Sequence, residues 1–273
     1  MMGMQKPIRR SAVRLKLGKM YYGIARRFLW IKMNKIFATL QTGEKLPFSY
    51  FTHQTILLRK LKDVNMWMQY NKITNLKIAA ERMNGIILQP GETFSYWRLI
   101  GKPTKHKGYK KGLILFSGTF LPGVGGGLCQ LSNLLYWMTL HTPLTVMERH
   151  RHGYDVFPDS NRTQPFGSGA TCFYPYGDLM LCNPTQETYQ LVIRVGEKNL
   201  EGEWRVSEPP RERFEIVERN HEFRGEYWGG YTRHNRLYQR RLTMDGELLE
   251  EKLAVENSAI AMYAPFLAGR NRF

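Results

Sequence analysis

The feature that most constrains this chain is a run of glycine directly before a cysteine, in "PGVGGGLCQLSNLLYWM" at residues 122–138. Four of the five residues from 123 to 127 are glycine, and an apolar pattern follows at once. Glycine is costly to order, so this cluster indicates backbone that requires positive φ or close approach to another segment. We predict a tight turn in which at least one of residues 125–127 has positive φ.

The apolar spacing after the glycines predicts a helix over residues 128–140 that opens at Gly127 or Leu128. Its core stripe consists of Leu128, Leu131, Leu134, Leu135 and Met138, and a different face carries Cys129, Ser132, Asn133 and Tyr136. In the first turn of a helix, the dipole and the unpaired N–H groups lower a thiol pKa. The N–H groups of Gly125, Gly126 and Gly127 are candidates for an oxyanion or anion site.

A thiolate nucleophile also needs a base, and "ERHRHGYD" at 148–155 supplies His150 and His152. Residues two apart on a strand point to the same side, so both rings are expected to face one site or to face water. The candidates for an orienting residue are Asp155, Asp159 and Asn133. The alternative is structural: a packed cysteine, a simple turn and solvated histidines. The spacing of these residues predicts no metal site, and no cofactor is expected.

Residues 1–43 contain ten Lys or Arg residues and no Asp or Glu, within a chain of net charge +17. Apolar residues recur there at helical spacing, namely Val13, Leu17, Met20, Tyr21, Ile24, Phe28 and Ile31. A basic amphipathic helix is typical of a membrane anchor, so residues 10–35 are expected to bind an anionic membrane surface. A helix docked on the body with solvated charges is the alternative. Nucleic acid is not expected as a partner, because the arm has no nucleic-acid-binding motif.

The remaining patterns predict an α+β fold: an antiparallel sheet, a central helix carrying the cysteine, and the basic N-terminal helix. We predict a helix over 64–84, a hairpin over 113–121 turning at Ser117-Gly118, and a hairpin turning at 175–178. Three domains follow: a basic arm at 1–43, a central domain at 44–203 and an antiparallel β extension at 204–273. Three cysteines do not predict a disulfide framework. With neither a signal peptide nor a membrane span evident, we expect a cytoplasmic protein, peripheral to the inner face of the membrane.

The segment 122–145, "PGVGGGLCQLSNLLYWMTLHTPLT", resembles the VanW family, and so do residues 75–104 and 107–123. The resemblance implies a link to glycopeptide (vancomycin) resistance and the cell envelope. The positions that match the family core are Gly125, Gly126, Gly127, Cys129, Gln130, Ser132 and His152, whereas His150 matches only some members. The family usually has Asp where Gly169 stands here, so the orienting residue is left in question.

Two functions remain open at this point. The first is a cysteine-dependent hydrolase or acyltransferase on peptidoglycan precursors, with Cys129 as nucleophile and His152 as base. Gly125–Gly127 and Gln130 would then hold the oxyanion, and Ser132, Asn133 and His150 would support the site. The second is a non-catalytic module that binds carboxylate or pyrophosphate groups of wall precursors. Replacing Cys129 separates them, because a binding module should tolerate the change.

Overall fold

A computed structural model describes residues 11–58, 65–116, 118–156 and 164–265. Residues 1–10 of the arm, Ser117 of the hairpin turn and Asp159 lie outside the described residues. The helices are α1 (Ala12–Lys32), α2 (Met66–Glu81), α3 (Tyr96–Ile100) and α4 (Cys129–Thr139). The described elements are antiparallel strands with a few helices, which confirms the α+β class and the N-terminal helix.

The strands of the central region are short, and those of the C-terminal region are long. The first group is β1 (Phe48–Ile56), β2 (Ile86–Leu88), β3 (Thr93–Ser95), β4 (Lys111–Phe116), β5 (Thr119–Val124), β6 (Thr145–Glu148), β7 (Tyr154–Asp155), β8 (Met180–Cys182), β9 (Tyr189–Val195) and β10 (Asn199–Val206). The second is β11 (Glu212–Gly225), β12 (Tyr231–Thr243) and β13 (Leu248–Ala261). The 113–121 hairpin is confirmed as β4-β5, with Gly118 at positive φ in its turn.

The strands form four sheets among the described residues. The first has the order β1-β10-β9-β2, the second β11-β12-β13-β7, the third β3-β8-β6, and β4-β5 is a separate hairpin. The pairings are antiparallel except that β13 runs parallel to the two-residue strand β7. Strand β10 crosses the predicted boundary at residue 203, because it pairs with both β1 and β9 as far as Val206.

Helix α4 lies at the centre of the core and packs on the first sheet. The predicted stripe is buried throughout, from Leu128 to Met138. A glycine allows the close approach: a Cβ on Gly202 of β10 would lie 2.7 Å from the Met138 sulfur and methyl carbon. Beside it, the fully buried Trp204 directs its indole N–H to the Thr139 hydroxyl at 3.3 Å. The core packing therefore fixes the orientation of the helix that begins at Cys129.

The hairpin predicted at 175–178 is wrong in its pairing. Strand β8 does not pair with the segment before the turn, but lies between β3 and β6. The preceding residues form a loop that is joined across the turn by one bridge, between Phe173 and Gly177. The reason is that β8 forms hydrogen bonds with β3 on one side and with β6 on the other, so neither of its sides is left for the preceding segment. Cys172 and Cys182 are free thiols, in agreement with the expectation of no disulfide.

Helix α1 contacts the body through Arg26, Gly23 and two aromatic residues. Arg26 is buried, with its guanidinium 2.5 Å from Glu148 Oε1 and 2.7 Å from the carbonyl of Tyr176. Gly23 lies against Pro175, and Trp30 packs near Tyr174. The docked-helix alternative had the charges of the arm solvated, and the buried ion pair of Arg26 with Glu148 corrects it for that residue. Within the described residues, no helix combines the length and the apolar character that crossing a membrane requires.

Candidate functional site

The glycine loop is a compact turn between β5 and α4. Gly125 has φ +78° and Gly127 has φ +91°, and α4 follows with Leu128 as its N-cap, so the predicted positive φ and helix start are confirmed. Gly126 is required for a different reason, because a Cβ there would lie 2.1 Å from the backbone carbon of Gly112. The loop therefore needs glycine both for its dihedral angles and for close contact with β4.

Asn75 of helix α2 holds this loop against β4. Its side chain is fully buried and donates to the carbonyl oxygens of Gly126 at 2.9 Å and Lys110 at 3.0 Å. Its amide oxygen accepts from the Lys110 N–H at 2.8 Å. Three hydrogen bonds from one buried side chain fix the turn, so Asn75 is a positioning residue. The sequence did not predict this role of Asn75, because the spacing of residues in a helix does not show which distant segment a polar side chain will bind.

The N–H groups of the three glycines are occupied by backbone acceptors. Gly125 donates to Lys110 O at 3.0 Å, Gly126 to Gly123 O at 3.0 Å, and Gly127 to Leu113 O at 2.9 Å. The Gln130 amide donates to the Thr55 hydroxyl and the Ile56 carbonyl of β1. By contrast, the N–H groups of Leu128 and Cys129 have no backbone acceptor among the described residues, and that of Cys129 is directed to its own sulfur. An anion at this helix start would therefore meet those two N–H groups rather than the glycines.

The thiol of Cys129 lies in a confined environment against the loop that carries Cys172. Its sulfur is 3.9 Å from the carbonyl oxygen of Cys172, which the S–H approaches as a donor. Burial raises the pKa of Cys129, against the lowering effect of backbone hydrogen bonds at Cys172 and at Cys129 itself. The expectation of a lowered thiol pKa is therefore wrong for this structure, because desolvation outweighs the backbone hydrogen bonds to the sulfur.

The second face of α4 is covered by the loop that contains Gly169. Ser132 is buried and donates to the Ala170 carbonyl at 2.7 Å, while Asn133 Oδ1 accepts from the Ala170 N–H at 2.8 Å. A Cβ on Gly169 would lie 2.5 Å from that same Asn133 oxygen. An aspartate at 169 would therefore require Asn133 to move. Asn133 is committed to this loop and is not bonded to a histidine among the described residues.

His150 belongs to a charged network at the end of β6. Its Nε2 atom lies 2.8 Å from Glu148 Oε1, which also receives the Arg26 guanidinium and, at 3.0 Å, the Asp178 N–H. Burial alone raises the pKa of Glu148, but the three hydrogen bonds outweigh it and lower the pKa to about 2. The His150 ring also packs on Phe173, with centroids 5.2 Å apart. His150 is thus held next to the segment that contacts the Cys129 sulfur.

Asp178 lies next to this network and is fully buried. It accepts from the Ser95 hydroxyl at 2.5 Å and from the Trp97 N–H at 2.9 Å, and so joins β3 and α3 to the loop before β8. Burial raises its pKa to about 6, against the lowering effect of those two donors. The Trp97 indole N–H donates to the Gly177 carbonyl at 2.8 Å. These hydrogen bonds hold in place the loop before β8, which also contacts Cys129 through Cys172.

His152 is half-buried, and no hydrogen bond of its ring occurs among the described residues. Burial lowers its pKa, so the imidazole is neutral near pH 7. In the described part of the chain, no histidine is hydrogen bonded to the Cys129 sulfur. Asp155, a candidate for orienting the ring, is instead buried with Arg233 at 3.1 Å. The pairing of His152 with Cys129 therefore stays a prediction.

Sequence reasoning missed Glu148, although one signal for it existed. Glu148 and His150 are two residues apart at the end of a strand, and such residues share a side of the strand. Arg26 and Cys172 gave no signal, since their contacts join segments far apart in the chain. No group of three or more His, Cys, Asp or Glu side chains among the described residues is arranged to hold a metal ion.

Comparison with known proteins gives the family. The family model described as VanW like protein matches residues 71–205, which include the glycine loop, Cys129 and both histidines. The vancomycin B-type resistance protein VanW of Enterococcus faecalis is 34% identical over 223 residues, 81% of each chain. The uncharacterized protein YoaR of Bacillus subtilis is 35% identical over 82 residues, 30% of this chain and 27% of that protein. No solved structure matches the chain significantly. The chain belongs to the VanW family.

Proposed function

We propose that this protein catalyses acyl transfer on peptidoglycan precursors, with Cys129 as nucleophile, and that it acts in glycopeptide resistance. The link to resistance rests on the similarity to the vancomycin B-type resistance protein, which extends over 81% of the chain. The observation that carries the chemistry is the helix start: Cys129 is the first residue of α4, where the N–H groups of Leu128 and Cys129 have no backbone acceptor among the described residues. A nucleophile next to free backbone donors is the arrangement that stabilises a tetrahedral oxyanion.

The reaction would proceed in two steps. Cys129 attacks the carbonyl carbon of a peptide bond in the precursor, and its thiol proton passes to an imidazole. The imidazole then gives that proton to the departing amine, the C–N bond breaks and a thioester remains. Water or a second amine attacks the thioester and restores the thiol, so the enzyme is a hydrolase or an acyltransferase according to the acceptor.

His152 is the proposed base for two reasons. It matches the family core, and its lowered pKa keeps the imidazole neutral near pH 7, which is the form that accepts a proton. His150 is the second candidate, because Glu148 fixes its ring as an orienting carboxylate would. The resting thiol is protonated, so the base must take the proton once the substrate is bound. Catalytic hydrogen bonds often form only in that complex.

The test is to incubate the protein with a soluble UDP-linked muramyl pentapeptide and to measure its intact mass. We expect a thioester adduct on the parent and on Cys182→Ala, a matched change at a free thiol in β8. Cys129→Ala should give no adduct. The variants His150→Gln and His152→Gln are compared for the rate of adduct formation, and the slower of the two identifies the base.

A non-catalytic binding module is the second candidate, and the raised pKa of Cys129 favours it, because a protonated buried thiol is a weak nucleophile. It predicts that the precursor binds equally to the parent and to Cys129→Ala, without any adduct. Equilibrium dialysis with the same pentapeptide measures this. Equal binding together with no mass change in the parent would refute the acyl-transfer proposal.

A further inference from the structure

Helix α1 presents its apolar side to solvent. The seven residues of the apolar stripe defined above are 47–72% exposed, with Phe28 at 68% and Ile31 at 72%. An amphipathic helix normally buries its apolar face against the core. Here the reverse holds, and the exposed row runs the length of the helix. Exposed apolar patches of this kind mark sites of interaction.

Four basic residues of α1 border this stripe. At about 100° per residue, the stripe occupies about 100° of the helix circumference. Lys16 and Arg27 lie along one edge, Arg14 and Lys32 lie along the other, and all four are exposed. No acidic residue occurs between 1 and 43. Long cationic side chains at both edges of an apolar face reach the phosphate level while the face contacts acyl chains.

The opposite side of α1 is fixed to the body, so the stripe has a defined direction. Arg26 is bonded to Glu148 and to the Tyr176 carbonyl, and Gly23 lies against Pro175. Tyr22 packs near Tyr176, with ring centroids 5.8 Å apart. The helix therefore presents one side to the protein and the other outward, as a helix lying flat on a surface must.

We propose that the apolar stripe of α1, with its bordering cations, binds the surface of an anionic lipid bilayer, with the helix lying parallel to the membrane plane. A second copy of the chain is a poor occupant, because two helices that carry only positive charge would repel each other. An anionic bilayer provides both an apolar layer and negative headgroups. The proposal is independent of the chemistry at Cys129.

The test uses the full chain, because deleting α1 would leave Glu148 without its guanidinium partner and would disturb the body. Three double variants are compared with the parent. Ile24→Ser with Phe28→Ser alters the stripe, and Lys16→Gln with Arg27→Gln alters its edge. Tyr227→Ser with Met244→Ser is the matched control, since both residues are exposed apolar side chains outside α1. Circular dichroism and thermal unfolding confirm that each variant is folded.

Cosedimentation is measured with vesicles of phosphatidylglycerol and phosphatidylcholine, with vesicles of phosphatidylcholine alone, and at low and high salt. The stripe variant should lose about tenfold or more in vesicle affinity, because two apolar side chains no longer enter the lipid. The edge variant should lose about fivefold for each cation removed, and high salt should reproduce that loss. The control should bind as the parent does, and phosphatidylcholine alone should bind weakly.

Two results would overturn the proposal. One is equal vesicle affinity of the stripe variant and the parent. The other is a result in which the parent forms dimers in analytical ultracentrifugation and the stripe variant does not, while both bind vesicles equally. The stripe would then be an interface between copies of the chain.

Discussion

Replacing Glu148 with glutamine tests the charged network that joins α1 to the site. The carboxylate of Glu148 receives hydrogen bonds from Arg26 and His150, and its side chain is only 21% exposed. The pKa of Glu148 is about 2 in the folded chain, against an ordinary value of 4.5. That difference corresponds to about 3 kcal/mol of stability near neutral pH. Glutamine keeps the shape but removes the charge.

The sign follows from the lowered pKa. The contribution of Glu148 to the free energy of unfolding is fully present above pH 4.5. It is lost as the pH falls toward 2, because protonation of this carboxylate favours the unfolded chain. Between about pH 6 and about pH 3.5 the parent should lose about 1.5 kcal/mol through this group alone. Asp178 titrates in the opposite sense, because its pKa is raised to about 6. Since Asp178 is present in both proteins, comparison of parent and variant removes most of its contribution.

The assay is urea unfolding of both proteins at several pH values, followed by tryptophan fluorescence. We expect Glu148→Gln to be less stable than the parent by about 3 kcal/mol near pH 7, and by clearly less near pH 3.5. Glu256→Gln is the matched control, because it breaks an exposed ion pair with Arg236 and should change stability by less than about 1 kcal/mol. A constant gap between Glu148→Gln and the parent across this pH range would refute the reasoning.

Three further predictions concern the glycine loop and the thiol. Gly126→Ala should destabilise the fold by about 3 kcal/mol, since its Cβ meets the β4 backbone, whereas Gly153→Ala has open space and should be neutral in thermal unfolding. Asn75→Ala should cost about 3 kcal/mol through three lost buried hydrogen bonds, and Asn71→Ala, with one exposed bond, less than about 1. Alkylation of Cys129 by iodoacetamide should be slow at pH 7 and rise about tenfold per pH unit, measured by peptide mass spectrometry; fast alkylation at pH 7 would contradict the raised pKa.

The glycine loop was largely predictable from the sequence. Positive φ at Gly125 and Gly127 and a helix start at Leu128 follow from residues that are adjacent in the chain. The acceptors of the glycine N–H groups were not predictable, because two of them, Lys110 and Leu113, belong to or directly precede β4. The sequence therefore predicted the shape of the turn, whereas the tertiary contacts determined which of its donors stay available.

The thiol and the histidines show the same division. Cys129 at the start of a helix was predictable from the pattern of its neighbours. Its pKa direction was not, because the covering loop at Cys172 that desolvates the sulfur comes from a distant segment. Glu148 lies two residues from His150 and could have been proposed from strand geometry, but its second partner, Arg26, is 122 residues away.

Helix α1 gives the clearest case of what each level determines. Residue spacing alone predicted a basic helix within residues 10–35 that has one apolar side, and the structure has this helix at Ala12–Lys32. Which side faces the body was decided by the tertiary structure, where the Glu148 carboxylate and Pro175 receive Arg26 and Gly23. The physical reason is that helix formation and amphipathicity depend on neighbours three and four residues apart, whereas a buried charge can lie only where the fold supplies its counter-charge.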